Sequence, residues 1–146
     1  MPIRDTLLGT ITIDINEIFL FPEGLIGYEQ YQRWVLLPDP ETEAVGWLQS
    51  LDRPDLSLAV ASPRRFAPHY RVRASQCSLQ SVQLGDSDQA YVLAVVNCND
   101  HALTLNLRAP LIMNLQRRLG LQVITLDDQP LQYEFASRAA QLRKTA

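Results

Sequence analysis

The chain contains a single lysine, Lys144, and its arginines do not make up the difference. Thirteen basic side chains meet sixteen acidic ones, for a net charge of −3 over 146 residues. Nucleic-acid binding, which sets several cations on phosphates, is disfavoured by that balance. Cysteine is scarce too. Cys77 and Cys98 make no disulfide framework, which fits a reduced, cytoplasmic protein. A mean hydropathy of −0.08 and the lack of any long apolar run exclude a transmembrane helix, so no membrane association is expected. The start, Met1 to Thr6, has no basic flank followed by an apolar stretch, so no secretory signal is expected. Also missing are a Gly-x-Ser-x-Gly elbow, a cysteine active-site signature and a phosphate-cradling glycine loop. An enzyme is not expected, and neither is a cofactor.

What is there suffices for one folded domain. At 47% hydrophobic, 146 residues can bury a core without staples. The net charge conceals an asymmetry. Residues 1–60 hold ten acids against three arginines (−7), while residues 61–146 hold six acids against ten bases (+4). Such an acidic half is either a solvated face or a surface that steers a basic partner and repels RNA.

The chain is organised around Phe21-Pro22-Glu23-Gly24-Leu25-Ile26-Gly27-Tyr28-Glu29. Pro22 lacks an N–H and should end the strand arriving through Ile18 to Leu20. Gly24 and Gly27 suit a backbone that turns twice through positive φ. Either this is a rigid corner between strands, or Phe21, Leu25 and Tyr28 are displayed for recognition.

Elsewhere the period is that of strands. Ile11, Ile13 and Ile15 alternate with polar residues in a strand running from Leu7 to Ile15, with Gly9 at a bend or bulge. Tyr28 to Tyr31 allows one helical turn. Strands follow at 33–37, 45–51 and around Leu56 to Val60, then an irregular crossover from Pro63 to Tyr70, after which Arg71 to Arg73 resumes pairing. One helix is expected over Ser75 to Leu84, stopped by Gly85. Strands at 90–96, 103–107, 109–114 and 121–125 complete the set, with Gly120 turning the chain into the last. The expected fold is all-β: a bent antiparallel β-barrel or pseudo-barrel of about nine short strands with one small helix. Residues 1–135 form its single domain, and 136–146 a frayed or disordered tail.

Two chemical readings are weak on the residues themselves. His69, Cys98 and His101 lack the paired-turn spacing of a zinc site, so no metal is expected. Arg64, Arg65, Arg71 and Arg73, interleaved with Phe66 and Tyr70, are the alternative: a small RNA-binding β-barrel using phosphate contacts and stacking. A binding module remains. The Phe21 to Glu29 loop, Trp47 to Ser50 and Phe66 to Tyr70 place large apolar groups at strand ends, as core caps or as a surface for an apolar partner helix.

These segments resemble the flagellar assembly factor FliW family. The resemblance rests on FPEGLIGYE from Phe21, WLQSLDRP from Trp47, ASPRRFAPHY from Ala61, NLRAPLIMN from Asn106 and LGLQVI from Leu119, in register over residues 3–133. It implies a cytoplasmic, monomeric, non-enzymatic β-barrel protein that binds flagellin and antagonises the translational regulator CsrA, without contacting nucleic acid itself. The implied partner-contacting residues are those of the motif loops: Phe21, Pro22, Glu23, Leu25 and Tyr28; Trp47, Gln49 and Asp52; Phe66 and Tyr70; Asn106 and Asn114.

Overall fold

The computed structural model describes residues 2–6, 9–84 and 90–137. Its strands, in chain order, are β1 (Pro2–Thr6), β2 (Gly9–Thr12), β3 (Ile18–Leu20), β4 (Arg33–Pro38), β5 (Val45–Ser50) and β6 (Ser57–Ala61). They continue with β7 (Ala90–Cys98), β8 (Ala102–Leu105), β9 (Leu111–Asn114), β10 (Leu119–Gln122) and β11 (Tyr133–Ser137). Among the described residues the one α-helix is α1 (Gln76–Leu79). No described helix is long and apolar enough to cross a membrane.

Seven strands close on themselves in the order β3-β4-β5-β6-β7-β9-β10 and back to β3. Closure removes sheet edges and so the need to protect them. The expected barrel is therefore present, with β8 and β11 extending it from the far half of β7 and β1–β2 forming a separate hairpin. Every ladder is antiparallel except β10 on β3, a single pair between Leu119 and Leu20. A second narrow seam joins β6 to β7, through Val60–Val95 and Ala61–Ala94 alone. Beyond those pairs the two strands part.

The interior follows from alternation along the strands. Phe19, Phe21, Leu25, Trp34, Leu48, Leu93, Leu111 and Met113 form the main cluster. Trp34 has no exposed surface, and its indole N–H donates to the carbonyl of Tyr31 at 2.9 Å. A second cluster gathers Ala94, Leu105 and Leu107 around Tyr70, whose hydroxyl donates to the Leu107 carbonyl at 2.6 Å. Phe66 closes it against Phe135, ring centroids 4.4 Å apart.

Several local expectations are corrected. The strand expected from Leu7 to Ile15 stops at Thr12; Ile13 is buried beside Val35, but a 3-10 turn over Ile15–Glu17 swings Ile15 out to 72% exposure. Asp14 caps that turn, its carboxylate accepting from Asn16 N, which explains why alternation fails there. The register shift of this hairpin lies between Ile3 and Asp5, and Gly9 itself pairs with Thr6, while Leu7 and Leu8 lie outside the described residues. Tyr28 to Tyr31 is a turn, not a helical one. Arg71 to Arg73 joins no ladder; the Arg73 carbonyl accepts instead from Leu126 N at 2.7 Å.

The helix is shorter than expected. Ser75 caps it by accepting from Ser78 N, but the α-helical turn gives way to a 3-10 turn at Gln80–Val82 and Gln83 reverses it at φ 51°; Gly85 lies outside the described residues. Gly120 is not the turn either: it sits within β10, and the reversal belongs to Leu115–Arg118, with Arg118 at φ 54° and its guanidinium 4.9 Å above the Phe19 ring. At the end of the chain, β11 carries pairing through Ser137, and 138–146 lie outside the described residues.

Candidate protein-docking groove

The Phe21–Glu29 loop is held at both ends by its own backbone. Phe21 N donates to Gln32 O (2.7 Å), Gly24 N to Phe21 O (2.8 Å) and Tyr28 N to Leu25 O (2.8 Å). The Gln32 amide donates to the Pro22 carbonyl at 2.8 Å. Gly24 and Gly27 do turn through positive φ, at 68° and 89°. At Gly24 a Cβ would also run into the backbone of Glu29, so both the angle and the space require glycine. Built this way, the loop buries Phe21 and Leu25, half-buries Tyr28 and leaves Ile26 at 54% exposure.

Opposite lies the Asn106–Ala109 corner. The Asn106 side-chain carbonyl accepts from Arg108 N and Ala109 N, both at 3.1 Å, replacing strand pairing with an Asx turn. Arg108 is held in turn by the Gln129 carbonyl (2.9 Å) and Asp128 (2.8 Å). One side chain ties the two corners together. Gln122 accepts from Ile26 N at 2.8 Å and donates to the Ala109 carbonyl at 3.0 Å.

Between these corners, where β6 and β7 part, runs a groove of about 360 Å³. Leu58 and Val95 line it from the parted strands, Leu25 and Tyr28 from the loop. Ile26, Ile124 and Leu131 crown its rim at 54%, 64% and 52% exposure. Of its polar groups, Asn106, Arg108 and Gln122 are engaged in holding the walls, which leaves Asn97 and the Tyr28 hydroxyl in a lining that is otherwise mainly apolar. A preformed apolar groove with exposed aliphatic rims suits an amphipathic helix face.

The twelve candidate residues do not gather into one surface. Leu25, Tyr28 and Asn106 line the groove, and Phe21, Pro22 and Glu23 lie in the same loop, the last two exposed. Trp47 is part-buried and donates through its indole N–H to Asp39 at 2.9 Å, anchoring the β4–β5 turn. Gln49 is fully buried, its amide donating to the carbonyls of Ser50, Pro54 and Leu56 across the β5–β6 turn. Asp52 pairs with Arg33 at the same end. Asn114 is also buried, donating to Val82 O and accepting from Gln116 N and Arg117 N.

Hydrogen bonding shifts two carboxyls: Asp39 lies below its ordinary value chiefly through Trp47, and Asp52 chiefly through Arg33. Tyr70 is pushed up to about 12 by burial. With Tyr70 buried and Phe66 set against Phe135, the aromatics of the basic cluster present no open stacking platform for bases. Among the described residues no three metal-ligating side chains converge. Ile26, Gln122, Ile124 and Leu131 are among the groove residues that sequence reasoning missed: Ile26 lies in the motif loop beside candidate residues, and Val123-Ile124 falls in the strand expected at 121–125.

The chain has clear relatives. A family model described as FliW protein matches residues 2–135. The flagellar assembly factor FliW of Bdellovibrio bacteriovorus is 30% identical over 130 residues, covering 88% of this chain and 74% of that protein. That of Oceanobacillus iheyensis is 30% identical over 140 residues, 94% of this chain and 95% of its own. That of Syntrophomonas wolfei is 35% identical over 126 residues, 85% of this chain and 81% of its own. A crystal structure of the flagellar assembly factor FliW superposes with a TM-score of 0.82 at 25% identity, over 93% of this chain and 96% of the other.

Proposed function

The chain belongs to the FliW family, and from that premise we propose that it is a flagellar assembly factor that binds flagellin and antagonises a CsrA-type translational regulator. The observation that carries this reading is the family match across residues 2–135, which spans the whole barrel. In this account the protein is a cytoplasmic monomer without catalytic chemistry. Bound flagellin leaves the regulator free to repress flagellin synthesis; export of flagellin frees the protein to bind the regulator. Such a switch needs complexes that exclude each other, so that free flagellin sets free regulator by mass action.

The groove between Leu25, Tyr28 and Asn106 supports the reading, since it could seat the apolar face of a partner segment. The acidic excess of residues 1–60 would keep RNA at a distance from a regulator held nearby.

Calorimetry with purified flagellin tests the first half. Association at about 10 μM or tighter is expected, and its absence at tens of micromolar overturns it. Adding regulator to the preformed complex tests the second. Displacement is expected, and a stable ternary complex would remove the switch.

A further inference from the structure

A second cleft, of about 670 Å³, lies on the other side of the β6–β7 seam from the docking groove. Past Ala61 the chain leaves the sheet, and Ser62, Pro63 and Arg64 wrap away in a 3-10 turn. β7 continues without it. Its residues Ala90–Leu93 pair with β9 on one edge, while pairing toward β6 is confined to Ala94 and Val95. In an antiparallel strand alternate residues send their N–H and C=O to opposite edges, so part of the Ala90–Leu93 backbone points into the cleft. The opposite wall is Val72–Ala74, which belongs to no ladder. The cleft thus stands where β6 would have continued.

Its chemistry is divided. Val92 and Ile112 give it an apolar floor and Tyr91, 40% exposed, one wall. Arg64 and Arg73 line it as well. Arg64 donates to the Tyr70 carbonyl at 3.1 Å and has no ion pair among the described residues. Arg73 meets Asp127 at 3.2 Å, an exposed contact of the kind that adds little and is readily exchanged.

We propose that this cleft binds an extended, acidic segment of another protein as a strand added to β7. Backbone pairing to Ala90–Leu93 supplies the affinity; alternation directs every second side chain to Arg64 and Arg73 and the others to the apolar floor. A partner of alternating acidic and β-branched residues fits both. The site is separate from the groove above and does not depend on the function proposed for it.

The probe is an acetylated, amidated pentapeptide alternating glutamate and valine, titrated into the full chain by NMR. Binding below about 1 mM is expected, with shifts at Tyr91 and Val92. A peptide with lysine in place of glutamate should bind at least tenfold more weakly, as should the original peptide to Arg64→Gln. A peptide N-methylated at alternate backbone nitrogens leaves the protein untouched and should also lose at least tenfold in one of its two registers. Equal binding of all the peptides, or no binding at 1 mM, overturns the proposal. So would an oligouridylate that displaces the peptide, or a peptide-free dimer that Tyr91→Glu dissolves, since each would give the cleft to a different occupant.

Discussion

The ring of Phe21 fills the space that a Cβ on Gly120 would occupy, with its Cζ and both Cε atoms nearest. Phe21 ends the run that follows β3 and Gly120 lies in β10, so this contact sits on the single parallel pair that closes the barrel. Gly120→Ala should therefore destabilise the fold by about 1–3 kcal/mol, the usual range for overpacking a core. Phe21→Leu alone should cost a similar amount by leaving a void. The double variant should cost less than the sum, because one change makes room for the other. Urea denaturation of the four proteins reads the cycle. Strict additivity would show that the two residues do not share the space.

Much of the barrel was legible in the sequence because strand signals there are local. Pro22 follows the end of β3 as its missing N–H demands, and the strands expected at 33–37, 45–51 and around 56–60 stand within a residue of β4, β5 and β6. What was not legible depends on contacts between distant residues. A glycine required by a ring ninety-nine positions away reads, in sequence, like a turn. Arg71 to Arg73 carries strand residues, yet it faces the unpaired part of β7 across a cleft and joins no ladder. The site was legible only in part for the same reason: Gln49, Tyr70 and Asn114 look like surface groups until their hydrogen bonds are seen to close inside the chain.

Gln122 is the joint between the two walls of the docking groove. Replacing it by alanine strands Ile26 N and leaves the Ala109 carbonyl without this donor, at about 1–3 kcal/mol for a buried group left unsatisfied and less where water can reach it. The expected outcome is a modest fall in stability together with weaker flagellin binding, because the walls lose their spacing. Denaturation and calorimetry on the same preparation check both. A loss of stability with unchanged binding would place the partner elsewhere.

On the rim, Ile124→Asp and Leu131→Asp alter exposed side chains, so stability should stay within about 0.5 kcal/mol of the parent. Binding should weaken by tenfold or more if an apolar helix face seats there. Tyr28→Ala and Trp47→Ala are expected to weaken binding too, but both side chains also support the fold, Trp47 through Asp39. If those two variants unfold without a binding defect in the folded fraction, both residues belong to the scaffold. The rim pair then carries the test alone.

Stability should fall at both ends of the pH range for different reasons. Asp39 and Asp52 titrate below the ordinary 3.8 because hydrogen bonds favour their charged forms. Their contribution is complete above 3.8 and is lost as pH falls through their lower folded values; Asp39 is half-buried and Asp52 lies at the surface, so solvent screening keeps the effect small. Tyr70 behaves in the opposite sense. Its pKa rises from 10 to about 12 on folding, so the unfolded chain releases the proton first. The stabilisation is complete below pH 10 and declines by about 1.4 kcal/mol per pH unit above it until the folded value is reached. Denaturation midpoints between pH 10 and about 12 should show that decline against a flat baseline below pH 10. In Tyr70→Phe the protein starts less stable, having lost the bond to the Leu107 carbonyl, but this component of the alkaline slope should vanish. An unchanged slope would mean that the Tyr70 hydroxyl reaches water and ionises as it does in the unfolded chain.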